Sequence, residues 1–172
     1  MSAFWEVVPL AANHRKRDFS CGESELDAYL KQLAGQHAKR NVSRTYVAVR
    51  KDDLDYVLGF YTLSMAQVEY TELPETVQGK LPRNYPVPAA RIGRLAVDNE
   101  AKGQRIGSGL LMNALARCAA IAKEVGTAGI IVDAKHEQAK AFYMKYGFTA
   151  FTEKPLTLFI PMWTVLESIP SD

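Results

Sequence analysis

The stretch that most constrains the fold lies past the middle of the chain. A strand-like run over residues 91–97 passes through a polar segment, residues 98–105, into a long helical pattern, with Gly103, Gly107 and Gly109 at the transition. Glycines let a backbone come close to a ligand, and the first turn of a helix offers unpaired N–H groups and a partial positive charge. An anionic group suits such a place, although these residues alone leave open a glycine-rich helix start that binds nothing. The spacing is not the G-x-G-x-x-G of dinucleotide sites, and no Gly-Lys-Ser/Thr follows to hold a triphosphate. Downstream, an apolar strand over 129–134 and a helix over 136–146, stopped by Gly147, alternate as in an α/β chain with a crossover and a partly parallel sheet.

The rest of the pattern fills in around this run. Phe4 to Leu10 reads as a first strand, and residues 23–40 as one helix with Leu26, Tyr29, Leu30, Leu33 and His37 on its apolar stripe. A strand over 45–49, an acidic turn over 51–55 and a longer strand over 56–68 form a hairpin. Residues 71–88, with Pro74, Pro82, Pro86 and Pro88, read as a long loop holding one short helical turn. The central helix runs from Ile106 to Val125, with Gly126 placed as a C-terminal cap. Strands over 148–152 and 156–165, the latter broken by Pro161, close the chain.

Composition narrows the class. At 172 residues and 48% hydrophobic content, the chain is expected to form one domain, 1–172, with a core of its own. No window approaches the roughly 18–20 apolar residues of a membrane helix. Met1–Leu10 also lacks a basic leader followed by an apolar run, so the expectation is a cytoplasmic chain with no membrane partner. Cys21 and Cys118 are expected to be reduced and structural, and two thiols supply no zinc set, so no metal is expected. The net charge of +2 averages +3 over residues 1–50, −3 over 51–100 and +2 over 101–172, so any basic surface is local.

Taken in order, Arg94-Leu95-Ala96-Val97-Asp98, Gln104-x-x-Gly107-x-Gly109 and Ala139-x-x-Phe142-Tyr143-x-x-x-Gly147-Phe148 resemble the GCN5-related N-acetyltransferases (GNAT). Phe19-x-Cys21-Gly22-x-x-x-Leu26-Asp27-x-Tyr29-Leu30 and Arg44-Thr45-Tyr46 resemble a narrower branch, the acetyltransferase toxins of bacterial toxin–antitoxin operons. The resemblance implies an α/β fold with a mixed sheet of six to seven strands, splayed around acetyl-CoA and flanked by helices. It implies a pyrophosphate over the turn of Gln104, Arg105, Ile106, Gly107, Ser108 and Gly109, with Lys102 and Gly103 also in the cofactor site and Lys102 and Arg105 neutralising phosphates. It further implies a pantetheine arm along the backbone of Leu95, Ala96 and Val97, whose N–H groups face the acetyl oxygen. The same resemblance implies that Phe142 lies against the cofactor and that Tyr143 protonates the departing thiolate. His136 stands where many relatives carry a cofactor-contacting asparagine.

No general base stands out among His14, His37 and the carboxylates. At pH 7.4 a lysine amine is only about one part in a thousand neutral, whereas an α-amine is roughly a quarter neutral, so a chain without a strong base suits an α-amine acceptor. The toxin branch implies aminoacyl-tRNA as that acceptor, with Lys39, Arg40, Arg44, Arg83, Arg91 and Arg94 as an RNA phosphate track. It also implies a homodimer and a ribbon-helix-helix antitoxin, through which alone the protein meets operator DNA. Rival readings are an acetyltransferase for a small-molecule or protein amine, and a non-catalytic acyl-CoA-binding module.

Overall fold

The computed structural model describes residues 3–169, which divide into two compact units, 3–64 with 93–114 and 65–92 with 115–169. One mixed sheet of seven strands is laid down in the order β1-β2-β3-β4-β5-β7-β6, as the expected fold class requires.

In the first unit, β1 (Trp5–Pro9) pairs antiparallel with β2 (Arg44–Arg50), and β2 with β3 (Asp53–Val68). Val47 and Val49 alternate onto one face of β2, where Phe19, Leu26, Tyr29, Leu30 and Phe60 bury them. The expected turn over 51–55 is shorter than expected, because Asp53 already pairs with Arg50 and β3 starts there. The helix expected over 23–40 is helical from Ser24 to Lys39 but not uniform. It comprises α1 (Ser24–Ala28), a π-helical segment (Tyr29–Leu33) and α2 (Ala34–Lys39). The wider π turn carries the buried face past Leu33, which is 42% exposed, to Ala34, which is fully buried. Leu33 therefore leaves the stripe on which 3.6-residue spacing placed it.

The second unit packs Val68, Leu73, Val77, Val87, Ala89, Ile131, Phe151 and Phe159 together. The long loop holds a 3-10 turn (Tyr70–Glu72) and α3 (Glu75–Gln78), one helical turn more than expected. β4 (Val87–Val97) begins four residues earlier than the pattern suggested and pairs parallel with β5 (Gly129–Asp133) from Ala89 to Ile92. α4 (Ile106–Ala122) stops short of Val125, which is 57% exposed. Gly126 has no left-handed φ and is not the cap it resembled, whereas Gly147, at φ 101°, does end α5 (Glu137–Lys145). β6 is only Thr149–Ala150, and β7 (Thr157–Pro161) gives way at Pro161 to α6 (Met162–Ser168) instead of a continued strand. Proline fixes φ and lacks an N–H, so it suits the residue before a helix better than the middle of a ladder.

Candidate active site

The register that sets Ile92 opposite Val132 exhausts β5 one residue later, at Asp133. Beyond that point the chain follows β7, with Asp133 opposite Thr157 and the Ala134 amide donating to the Leu156 carbonyl at 2.8 Å. Arg94 to Val97 thus run on past the length of β5. A strand that outruns its partner presents amides and carbonyls to an amide-bearing ligand without needing particular side chains.

Asp98 ends this strand and is 7% exposed. Its carboxylate accepts from the amides of Glu100 (2.9 Å) and Ser20 (3.1 Å), and the Asn99 amide donates to the Ser20 carbonyl at 2.8 Å. The Cys21 amide donates to Asp27 at 2.9 Å, while Lys102 Nζ donates to the Cys21 carbonyl at 2.7 Å. The Phe19-x-Cys21-Gly22 element is therefore a latch that fixes the approach to the glycine turn. Lys102, expected on a phosphate, has one ammonium proton on that carbonyl and two left for another acceptor.

The turn itself has two left-handed residues, Gly103 at φ 83° and Arg105 at φ 63°. Successive amides bent this way form an anion-receiving concavity. α4 starts immediately afterwards, and the amides of Ile106, Gly107 and Ser108 precede its first intrahelical acceptors. The Gly109 amide donates to the Arg105 carbonyl at 3.1 Å. Open backbone, aimed amides and the absence of acidic residues from the first turn fit a diphosphate. Two residues of the expected set are held by other needs. Ile106 is 1% exposed, its side chain in the core. A Cβ on Gly109 would lie 2.3 Å from the Trp5 ring, so this glycine admits β1 against α4.

In the second unit, Tyr143 is 6% exposed on α5, its ring edge-on to Phe142 (5.3 Å) and Phe148 (5.5 Å). Burial, with a smaller contribution from the Asp133 charge, pushes its phenol up to about 12. It keeps its proton at neutral pH and has it available to donate. His136 caps α5, its Nδ1 accepting from the Ala139 amide at 3.1 Å. A helix N-cap wants a side-chain acceptor, a requirement a histidine and an asparagine both meet.

The basic residues differ in what holds them. Lys39 and Arg40 are exposed at the end of α2, and Arg83 is exposed in the long loop. Arg44 donates to the Ala38 carbonyl (3.0 Å) and Asn41 (2.6 Å), closing the helix end. Arg91 is ion-paired with Asp133. Arg94 lies over the face of Tyr29, its Cζ 3.6 Å from the ring centroid. Tyr29 stands in the sequence on an apolar stripe and in the N-terminal element that resembles the toxin branch, and no spacing rule joins residue 29 to residue 94. His14 is buried, accepts from the Ala11 amide at Nδ1 and is shifted down by burial, so it is a turn-former. Cys21 and Cys118 are free and buried, with thiols pushed up to about 11 and about 12. Among the described residues no group of three or more His, Cys, Asp or Glu is arranged to hold a metal ion. Among them, too, no helix is long and apolar enough to cross a membrane.

A mixed sheet whose β4 outruns β5, an anion-ready turn at the head of α4 and a buried proton-bearing tyrosine on α5 are the parts of a coenzyme-A-dependent acyltransferase. The chain belongs to the acetyltransferase (GNAT) domain family, whose model matches residues 41–150. It is 37% identical over 144 residues, covering 84% of each chain, to a tRNA-acetylating toxin of Mycobacterium tuberculosis (strain ATCC 25618 / H37Rv). Its fold is similar to that of a tyrosine-to-phenylalanine mutant of KacT (TM-score 0.91, 30% identity, 97% of this chain and 100% of that one). It is likewise similar to AtaT complexed with acetyl-methionyl-tRNAfMet (TM-score 0.87, 29% identity, 95% and 98% covered). A third structure is a tyrosine-to-phenylalanine AtaT toxin bound to the C-terminus of the antitoxin AtaR and acetyl-CoA (TM-score 0.82, 25% identity, 97% and 100% covered).

Proposed function

We propose that this protein is a toxin that transfers the acetyl group of acetyl-CoA to the α-amine of an amino acid esterified to tRNA, removing that tRNA from translation. It acts as one catalytic domain, in the cytoplasm and as a homodimer. A small ribbon-helix-helix antitoxin neutralises it, and only through that antitoxin does it meet operator DNA. The observation that carries this reading is the 37% identity with a tRNA-acetylating toxin over 84% of both chains, a longer match than the 110 residues of the general acetyltransferase model.

Acetyl-CoA supplies an acetyl group activated as a thioester. In this reading Gly103 to Ser108 hold its diphosphate through backbone amides, and the backbone of Leu95 to Val97 aligns its amide-bearing arm. Tyr143 would donate a proton to the sulfur as the C–S bond breaks and the amine's C–N bond forms, the proton that the amine sheds passing through water and restoring the phenol. A phenol near 12 facing an ordinary thiolate near 8.5 would have to move its proton about 3.5 units uphill. Burial closes that gap: the desolvation that raises Tyr143 also raises a thiolate placed beside it, as it raises Cys118 here. No strong base is required, since an α-amine is already roughly a quarter neutral at pH 7.4.

The test is incubation with radiolabelled acetyl-CoA and total charged tRNA, with and without ribonuclease. Label that ribonuclease releases to small fragments is the expected result. Label resistant to ribonuclease, on protein or on a metabolite, would overturn the tRNA reading in favour of another amine. An absence of transfer in every fraction would leave an acyl-CoA-binding module.

A further inference from the structure

Of the six arginine and lysine side chains proposed to meet RNA, Arg94 has a partner that fixes it without taking up its N–H groups. Arg91 pairs with Asp133, and Arg44 donates to a helix-end carbonyl and an asparagine. Arg94 instead lies flat on an aromatic face, 3.6 Å from the Tyr29 centroid. A guanidinium stacked in this way keeps its charge and the N–H groups around its edge, which is the geometry that grips a phosphate through two parallel hydrogen bonds.

The platform beneath it is itself tied down. Tyr29 is 2% exposed, and its hydroxyl meets His37 Nδ1 at 3.0 Å and Ser43 Oγ at 2.8 Å. The His37 ring also packs edge-on to Tyr29, at 5.3 Å. One phenol therefore joins the π-helical segment, α2 and the entry to β2, reinforcing the Val42 amide's hydrogen bond to the His37 carbonyl at 2.9 Å. The ring carries the side chain of Arg94, which belongs to the stretch of β4 that outruns β5. On β2, Thr45 Oγ1 is buried with no partner, opposite Thr62 in the β2–β3 register. Thr62 in turn borders Gly93, with Oγ1 3.1 Å from where a Cβ would stand.

We propose that Tyr29, held by His37 and Ser43, is a positioning residue that presents Arg94 as a two-pronged clamp for a phosphate near the 3′ end of the acceptor tRNA. This rests on the aminoacyl-tRNA reading above. The clamp sets the acceptor's position relative to the open stretch of β4, so its loss weakens acceptor binding and leaves the chemical step and the cofactor untouched.

The test is steady-state kinetics on charged tRNA across a salt series, with acetyl-CoA affinity measured by calorimetry in the absence of RNA. Arg94→Gln should raise KM for charged tRNA about tenfold or more, as expected for a lost charge-assisted contact. It should also flatten the log KM against log salt slope by about 0.7, the value for one single-strand phosphate. Tyr29→Leu keeps the charge but removes the platform, so KM should rise comparably with the slope retained. Tyr29→Phe, which loses only the hydroxyl links, should fall between. In all three, kcat and the acetyl-CoA Kd should stay within about twofold of wild type, a split that general unfolding would not produce. Should the Tyr29 variants fail to fold, Arg94→Lys is the alternative: charge kept and fork lost, so a raised KM at unchanged slope supports the clamp. An unchanged KM in Arg94→Gln, or an equal loss of acetyl-CoA affinity, overturns it. If wild-type protein labels no charged tRNA, the function reading fails instead, and the two failures are told apart.

Discussion

At the scale of single residues, two glycines of one motif do different work, and a tyrosine's environment sets its chemistry. Gly103 has a left-handed φ with nothing within 4 Å of a notional Cβ, whereas Gly109 has the Trp5 ring there at 2.3 Å. Gly109→Ala should therefore lower stability by about 1–3 kcal/mol through overpacking. The folded fraction should keep its acetyl-CoA affinity, and a second change, Trp5→Leu, should recover part of the loss. Denaturant titration and calorimetry on both variants check this, and loss of cofactor affinity without loss of stability would return Gly109 to the ligand. Tyr143→Phe removes the only proton that the buried ring can donate. It should lower kcat by about a hundredfold or more, the usual range for a positioned acid, with acetyl-CoA Kd within about twofold. Turnover equal to wild type would remove Tyr143 from the chemistry.

At the scale of elements, periodicity found every helix and strand except the 3-10 turns and α6, and lost accuracy where tertiary packing overrode it. The apolar stripe of residues 23–40 was legible because Leu26, Tyr29 and Leu30 share a face. The π turn was not, since one extra residue in a turn costs little against the core it completes. Pro161 was read as interrupting a strand, and only the pairing of β5 with β7 shows that the strand is already finished there. The glycine turn and Tyr143 carried local sequence signals. The latch between Ser20–Cys21 and Asp98–Lys102 did not, because a hydrogen bond spanning 78 residues leaves no mark on spacing. That latch is testable through Asp98. Asp98→Ala leaves the Ser20 and Glu100 amides without their acceptor and should cost about 1–3 kcal/mol. Asp98→Asn, which keeps one carbonyl acceptor, should cost less, and acetyl-CoA affinity should fall in the same order. Equal affinity in both variants would separate the latch from the turn it is argued to set.

At the scale of the whole molecule, stability integrates every group whose proton affinity changes on folding, and here those shifts bound it from both sides. His14 is shifted below its ordinary 6.5 by burial, so folding favours its neutral form. Its contribution is complete above pH 6.5 and is lost as pH falls through that value and below, where the unfolded chain binds the extra proton. The thiols and Tyr143 act in the opposite sense. Cys118 rises from 9.0 to about 12, Cys21 from 9.0 to about 11 and Tyr143 from 10.0 to about 12, in each case mainly by burial. For each, the contribution is intact below the ordinary value and disappears as pH climbs to the raised one. The expected curve is a plateau between about pH 6.5 and 9 with losses on either side, Cys118, the more strongly raised of the two thiols, contributing more than Cys21 to the alkaline fall. Urea unfolding from pH 5 to 11 traces that curve. Cys118→Ala lowers the plateau by leaving a small cavity, yet it should make the descent from pH 9 to 11 shallower than in wild type. Parallel descents in the two proteins would show that Cys118 gains its proton affinity equally in the unfolded chain, which its fully buried place among the α4 side chains argues against.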